Sequence, residues 1–199
     1  MPVEAGYVEH LATNRYFDRT FDCDAVKVLP GEYFVTTADM LLVTVLGSCV
    51  TACIRDRDKG LGGMNHFMLP DCADSGVLSS SARYGAYAME VLLNHLLKLG
   101  ARRSSLEAKV FGGGKVLASL TQAQVGEKNS EFVLDYLATE RIPIVAQDLL
   151  DIYPRKVYFF PASGRVMMKK LVRVKNDTLI EREREYEARL RRDNVQGDV

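Results

Sequence analysis

Apolar and β-branched residues are concentrated in short runs between residues 32 and 70. The runs read EYFVTT from residue 32, MLLVTVL from residue 40, CVTACI from residue 49 and LGGMNHFMLP from residue 61. Runs of this length, bounded by glycine, proline or charged turns, predict strands rather than helices. We therefore expect this part of the chain to form a β-rich core.

Two later segments have helical spacing. In residues 79–99 apolar positions recur every three or four residues, and Gly100 stands where a helix C-cap is expected. Residues 127–140 repeat the pattern. Further apolar strands are predicted at 106–111, 142–147, 156–160 and 165–174. This irregular alternation predicts an α+β fold, a layered α/β sandwich with a mixed β core flanked by helices.

The N-terminal end lacks this regularity. Residues 1–27 alternate charges with single aromatics and show no sustained period, which predicts an irregular lead-in. Because a chain of 199 residues that is 47% hydrophobic can bury one substantial core, residues 28–175 are expected to form a single domain.

The C-terminal end, residues 176–199, is dense in charge and has helical spacing. Its apolar seam is thin and consists of Leu179, Tyr186 and Leu190. Mixed-charge helices of this kind are usually exposed to water on most sides. A solvated helix or tail appended to the domain is therefore the favoured interpretation.

Charge and hydropathy exclude several classes of function. Lysine plus arginine balance aspartate plus glutamate at 26 each, so no overall field favours nucleic acid or an anionic membrane. The N-terminus lacks the basic start and apolar run of a secretory signal. The most apolar stretch, 40–54, is shorter than the roughly 20 residues that span a bilayer. We expect a soluble, cytoplasmic protein without membrane insertion.

The cysteines predict free thiols rather than a disulfide scaffold. Cys23, Cys49, Cys53 and Cys72 are few and irregularly spaced for a chain of this length. Cys49 follows an apolar strand and a Gly47-Ser48 turn. Glycine there can leave the thiol uncovered, and backbone N–H groups at such a turn can point at a developing oxyanion.

A catalytic cysteine needs a neighbouring base or positive group, because a free thiol is only slightly ionised at neutral pH. Of the three histidines, only His66 lies in the same β-rich block, 17 residues after Cys49. His10 falls in the lead-in and His95 in the first predicted helix. A buried cysteine beside a core histidine is the alternative, and spacing alone does not decide between them.

Two other kinds of site are disfavoured. Zinc could use Cys49, Cys53, Cys72 and His66, but the second close pair of cysteines that structural zinc sites need is missing, so no metal is expected. The run FGGGKV at 111–116 lacks the serine or threonine that follows the lysine of a phosphate-binding loop. It is expected to be a turn, or a wall that a substrate backbone approaches closely.

Six segments together resemble a known family, the chemoreceptor glutamine deamidases called CheD. The segments are LGSCV (46–50), GGMNHFMLP (62–70), ARYGAYAMEVLL (82–93), KVFGGG (109–114), VGEKN (125–129) and YFFPASGRV (158–166). They cover most of residues 33–171 in the family's order.

The resemblance implies roles for individual residues. It makes Cys49 the nucleophile and His66 the base. The family's third polar residue is a threonine on the strand before the cysteine. Its position is held here by Val43, while Thr44 stands one residue later, and a single step along a strand changes the face. Thr44 is the candidate to orient His66, unless another group does so.

Three further residues, Ser48, Gly112 and Gly113, are expected to bind the substrate. The implied reaction is deamidation of glutamine to glutamate on the cytoplasmic helices of chemotaxis receptors, through a thioester and without a cofactor. A CheC-like phosphatase is a possible partner. The alternatives are a transglutaminase-like enzyme, in which an amine resolves the thioester, and a non-catalytic chemotaxis adaptor.

Overall fold

The computed structural model describes residues 10–70, 80–116, 120–172 and 177–196. The first strands along the chain are β1 (His10–Leu11), β2 (Asn14–Asp18), β3 (Cys23–Lys27), β4 (Glu32–Thr36), β5 (Leu41–Leu46), β6 (Val50–Asp56) and β7 (Leu61–His66). They are followed by α1 (Ser80–Lys98), a 3-10 turn (Arg103–Ser105), β8 (Leu106–Gly112), α2 (Leu120–Thr139), β9 (Ile144–Leu149), β10 (Arg155–Phe160), β11 (Arg165–Lys170) and α3 (Asp177–Gln196).

The strands form two mixed sheets. One has the order β1-β4-β7-β6-β8-β9 and the other the order β11-β10-β5-β3-β2. Helices α1 and α2 pack on the first sheet, and β5 and β10 of the second sheet contact β7 and β8 of the first. The α+β fold with a mixed β core and flanking helices is thus confirmed.

The main core lies between the helices and the two sheets. Strands β5, β6 and β7 are almost completely buried, since layers cover both of their faces, and this explains why their sequences read as continuous apolar runs. None of the helices within the described ranges combines the length and apolar character needed to cross a membrane.

The N-terminal segment differs from the irregular lead-in that the sequence predicted. From residue 14 onwards, β2 and β3 form an antiparallel pair, and β3 continues the second sheet by lying parallel to β5. The pattern was hard to detect because β2 is a mostly exposed edge strand without alternation between buried and exposed positions.

The C-terminal segment forms the expected helix, α3, but one of its faces is not solvated. Glu183, Tyr186 and Leu190 are each at most 4% exposed and follow one another at helical spacing. Tyr186 and Leu190 belong to the main core. Helix α3 is therefore docked against the domain along a narrow seam.

Candidate active site

A three-residue turn presents Cys49 between the two sheets. It links β5 to β6 and consists of Gly47, Ser48 and Cys49, of which the cysteine is completely buried. The turn is fixed through its carbonyl groups. Asn129 Nδ2 donates to the Ser48 carbonyl at 2.8 Å, and backbone N–H groups of the glycine turn after β8 bond the other two carbonyls. The N–H groups of these three residues do not take part in these bonds and can donate to another group.

Gly112 and Gly113 lie behind this turn and are buried. Gly113 N–H donates to the Cys49 carbonyl at 2.9 Å. Gly112 has φ +116°, and a Cβ there would lie 2.1 Å from the same carbonyl oxygen. Any side chain at position 112 would therefore displace Cys49. Their position favours support of the turn over direct contact with a docked helix.

His66 stands at the end of β7, beside the start of β6. Reciprocal backbone hydrogen bonds between Val50 and Phe67, of 2.9 and 3.0 Å, bring the two strands together there. As a result, a ring nitrogen of His66 lies within 4.8 Å of the Cys49 sulfur. The pair proposed from sequence is adjacent in space.

Thr44 is the residue that contacts the His66 ring. Its Oγ1 lies 2.8 Å from His66 Nδ1 and donates to the Val28 carbonyl at 2.7 Å. Val43, one residue earlier, packs instead in a small cluster on the opposite face of the second sheet. The residue at the family's usual position therefore faces away, and Thr44 faces His66.

The same contacts assign the tautomer of His66. Thr44 has a single hydroxyl proton, and it is used on Val28, so Thr44 accepts a hydrogen bond from Nδ1–H. The lone pair of the neutral ring then lies on Nε2, which has no hydrogen-bond partner. Nε2 is therefore the ring atom that can accept a proton.

Burial keeps both groups neutral in this arrangement. It lowers the pKa of His66, against the opposing effect of the nearby Glu183 charge. It raises the pKa of the Cys49 thiol, and Glu183 raises it further by charge and by hydrogen bonding. The pair is thus a thiol beside a neutral imidazole.

Glu183 of α3 completes the site and was missed by the sequence reasoning. Its Oε1 accepts hydrogen bonds from the N–H groups of Gly47 at 2.8 Å and Cys49 at 3.2 Å. Its Oε2 accepts from Ser48 N–H at 3.0 Å and Ser48 Oγ at 2.7 Å. The detectable signal was the common helical face of Glu183, Tyr186 and Leu190.

Asn129, the last residue of the VGEKN segment, is a second site residue that the sequence did not predict. This side chain of α2 is completely buried and links two segments of the site. Its Nδ2 bonds the Ser48 carbonyl, and its Oδ1 accepts from Leu69 N–H at 2.8 Å. A buried asparagine on an apolar helix face is the signal, because such a group needs partners.

Among the described residues, Cys23 and Cys53 do not join Cys49 in a site. Cys53 is buried on β6 with a free thiol, Cys23 is a half-buried free thiol, and Cys72 lies outside the described residues. Cys49, His66 and Glu183 could offer three ligand atoms to a metal ion. However, each carboxylate oxygen of Glu183 already accepts two hydrogen bonds. A carboxylate whose oxygens are bonded in this way is better explained as an anion bound by N–H and O–H donors than as a metal ligand.

Comparison with known proteins decides the family. Residues 68–170 match the family described as CheD chemotactic sensory transduction. The curated protein "Probable chemoreceptor glutamine deamidase CheD 1" of Dechloromonas aromatica is 65% identical over 99% of this chain and 98% of its own length. The chain belongs to the CheD family.

Other CheD proteins align over nearly the whole chain as well. The "Probable chemoreceptor glutamine deamidase CheD" of Herminiimonas arsenicoxydans is 63% identical over 96% of this chain and 95% of its own length. Alignments of this extent span positions 49 and 66, which precede the segment matched by the family. The crystal structure of the hypothetical protein YfiH of Bacillus licheniformis is 12% identical to this chain, with a TM-score of 0.39. The match spans 60% of this chain and 49% of the YfiH chain.

Proposed function

We propose that this CheD protein deamidates glutamine side chains on the cytoplasmic helices of chemotaxis receptors, with Cys49 as nucleophile and His66 as base. The observation that carries the proposal is the Cys49 sulfur within 4.8 Å of a His66 ring nitrogen, together with the Thr44 contact to Nδ1 that leaves the lone pair of the ring on Nε2. The names of the closely similar relatives, which are probable chemoreceptor glutamine deamidases, support the activity, and the mechanism is argued from the site alone.

The first half-reaction is acylation of the thiol. Cys49 gives its proton to His66 Nε2, and the sulfur attacks the Cδ carbon of the substrate glutamine. The oxygen that becomes negative is stabilised by the N–H groups of Gly47 and Cys49, which already bind a carboxylate oxygen. Protonated His66 then gives its proton to the departing nitrogen. The C–N bond breaks, ammonia leaves and a thioester remains.

The second half-reaction is hydrolysis of the thioester. Neutral His66 takes a proton from water, the water oxygen attacks the carbonyl carbon, and the thiol leaves with the proton from His66. The net change is one water consumed and one ammonia released for each glutamine converted to glutamate.

A cleft lies beside His66. A partly open cleft of about 220 Å³ reaches His66 beside the start of α3, and its lining includes Val28 and Leu179. The names of the similar relatives, which are deamidases, favour hydrolysis over resolution of the thioester by a protein amine. Ser48 stays a predicted substrate-binding residue, and its hydroxyl is suited to bond the nitrogen of the carboxamide. A CheC-like phosphatase stays a predicted partner.

Intact-mass analysis of a receptor cytoplasmic fragment tests the proposal. Incubation with the wild-type protein is expected to add about one dalton per converted glutamine and to release ammonia, whereas Cys49→Ala leaves the mass unchanged because no thioester can form. Cys53→Ala is the matched control, since it removes a buried thiol from the same sheet outside the site. Binding of the fragment without any mass gain by the wild type would overturn the proposal in favour of an adaptor.

A further inference from the structure

Glu183 presents to the site the chemical group that deamidation produces. Its carboxylate is held by the three consecutive N–H groups of the nucleophile turn and by the Ser48 hydroxyl. One atom of this carboxylate lies within 4.8 Å of both the Cys49 sulfur and a His66 ring nitrogen. A glutamate side chain therefore already lies where the mechanism needs the carboxamide of a substrate.

The turn leaves space for this side chain. A Cβ added to Gly47 would lie 2.8 Å from both carboxylate oxygens of Glu183. Any other residue at position 47 would therefore crowd a carboxyl or carboxamide group beside Cys49. The space next to the nucleophile matches the end of a glutamate or glutamine side chain.

Helix α3 presents Glu183 in the manner expected of a substrate helix. Tyr186 and Leu190 follow at the third and seventh positions on the same face and are buried. The Tyr186 hydroxyl is hydrogen-bonded to the hydroxyl of Tyr84 on α1. The surface under α3 thus fits a helix that carries a glutamine followed by an aromatic side chain at the third position and an apolar side chain at the seventh.

Helix α3 closes the site while it is docked. Cys49 is 0% exposed and His66 1% exposed, so no other side chain can reach the thiol. Within residues 177–192 only Glu183, Tyr186 and Leu190 are buried, and the remaining side chains are half-buried or exposed. So few buried side chains are typical of elements that open locally before the rest of a domain.

We infer that α3 occupies the groove in which the receptor helix binds, with Glu183 in the position of the glutamate product, so that α3 must leave before a substrate can enter. This inference rests on the function proposed above. It assigns the substrate groove, and it makes the C-terminal helix an intramolecular competitor of the receptor.

The variant Glu183→Gln turns this competitor into a substrate. A carboxamide at position 183 can keep its oxygen on the Gly47 and Cys49 N–H groups, and its nitrogen can donate to the Ser48 hydroxyl. The variant loses only the bond that the carboxylate accepts from the Ser48 N–H. Cys49 sulfur then bonds to the amide carbon, ammonia leaves with the His66 proton, and water releases glutamate and the free thiol. Peptide mass analysis is expected to show position 183 converted to glutamate, a gain of about one dalton that depends on the covalent step.

Two controls define the result. Glu183→Gln combined with Cys49→Ala is expected to keep the glutamine, because the nucleophile is gone. Glu185→Gln places a glutamine on the exposed face of the same helix and is also expected to keep it. If the glutamine at position 183 persists in a protein that deamidates the receptor fragment, the product-like position of Glu183 is overturned.

Alkylation of Cys49 by iodoacetamide provides a readout that does not depend on activity. Leu190→Ala is expected to raise the alkylation rate at least about tenfold, because loss of a buried leucine loosens the seam, whereas Arg184→Ala on the exposed face leaves the rate unchanged. An unchanged rate in Leu190→Ala would overturn the inference. A faster rate without deamidation of receptor or helix would reject the proposed function and leave α3 as the cover of Cys49.

Discussion

The threonine beside His66 determines which ring nitrogen can act as a base. Because the Thr44 hydroxyl donates to the Val28 carbonyl, it can only accept from His66, and this leaves the lone pair on Nε2. In the proposed mechanism, Thr44 does not contact the substrate. It is a positioning residue that acts through the imidazole.

Replacing Thr44 with valine tests this role. Thr44→Val keeps the size but removes the oxygen, so His66 loses its orientation, and kcat for receptor deamidation is expected to fall by about 10- to 100-fold with little change in KM. Thr44→Ser keeps the oxygen and is expected to restore most of kcat. Equal kcat in Thr44→Val and the wild type, measured by ammonia release, would contradict the assigned tautomer.

The sequence led to Cys49 and His66 because both lie in one β-rich block whose strands are neighbours. The position of Thr44 could not be derived from it, since one step along a strand decides the face and the pairing of strands decides which face meets His66. The role of Glu183 could not be predicted from the sequence for another reason. It is 134 residues from Cys49, and its charge favoured an exposed helix.

At the scale of elements, α2 holds the turn of residues 47–49, which carries Cys49. The buried Asn129 bonds the Ser48 carbonyl with its nitrogen and the Leu69 N–H with its oxygen, and so links the turn to the segment that follows β7. An isosteric carboxylate cannot serve both partners, because an ionised aspartate has no N–H to donate.

Substitutions at Asn129 are therefore expected to affect stability and catalysis together. Asn129→Asp and Asn129→Ala should each lower the free energy of unfolding by about 1 to 3 kcal/mol, since they leave buried polar groups unpaired. They should also lower kcat more than they raise KM, because the turn carries the oxyanion donors. Urea unfolding and steady-state kinetics measure the two effects. Unchanged kcat in a destabilised variant would show that Asn129 has a structural role only.

The central elements were predictable because their hydrophobic pattern is strong. Strands β4 to β7 and helix α1 lie close to their predicted bounds, since buried strands give continuous apolar runs and a half-buried helix gives a clear period. The pattern failed at β2, whose exposed edge position requires no alternation, and at α3, where a buried glutamate replaces an apolar residue of the seam.

At the scale of the whole molecule, one buried arginine joins the two sheets near the site. Arg155 on β10 is completely buried and pairs with Asp148 on β9 of the other sheet at 2.5 Å. Its guanidinium also bonds carbonyl groups of Leu150, Tyr153 and Gly112. This contact holds the sheets together next to the glycine turn that supports Cys49.

Removal of this arginine is expected to destabilise the fold. Arg155→Met removes the close partner of Asp148, which keeps only Lys170 at 3.7 Å, and the guanidinium that bonds the Leu150 and Tyr153 carbonyls. It should lower the free energy of unfolding by about 3 kcal/mol, as measured by urea denaturation. Arg155→Lys keeps the charge but cannot reach all four partners, so it should lie between Arg155→Met and the wild type. Wild-type stability of Arg155→Met would contradict the role assigned to this contact.

The order of strands within the sheets was not predictable from the sequence. Strands β8 and β9 are parallel neighbours although α2 separates them in the chain. Strands β3 and β5 are also parallel neighbours, while β4, which lies between them in the chain, belongs to the other sheet. Hydrophobic patterns report which residues are buried but not which distant strand covers them. The meeting of Thr44, His66 and Glu183 depends on this long-range pairing.

The most direct test of the account asks whether Cys49 forms a thioester with the receptor glutamine. Hydroxylamine added during the reaction should compete with water for the thioester and convert the same glutamines to hydroxamates, each about 16 daltons heavier than glutamine. Peptide mass analysis is predicted to find these hydroxamates with the wild type and Cys53→Ala and not with Cys49→Ala. Glutamate formation without any hydroxamate, or in the absence of the Cys49 thiol, would contradict the proposed Cys49 thioester.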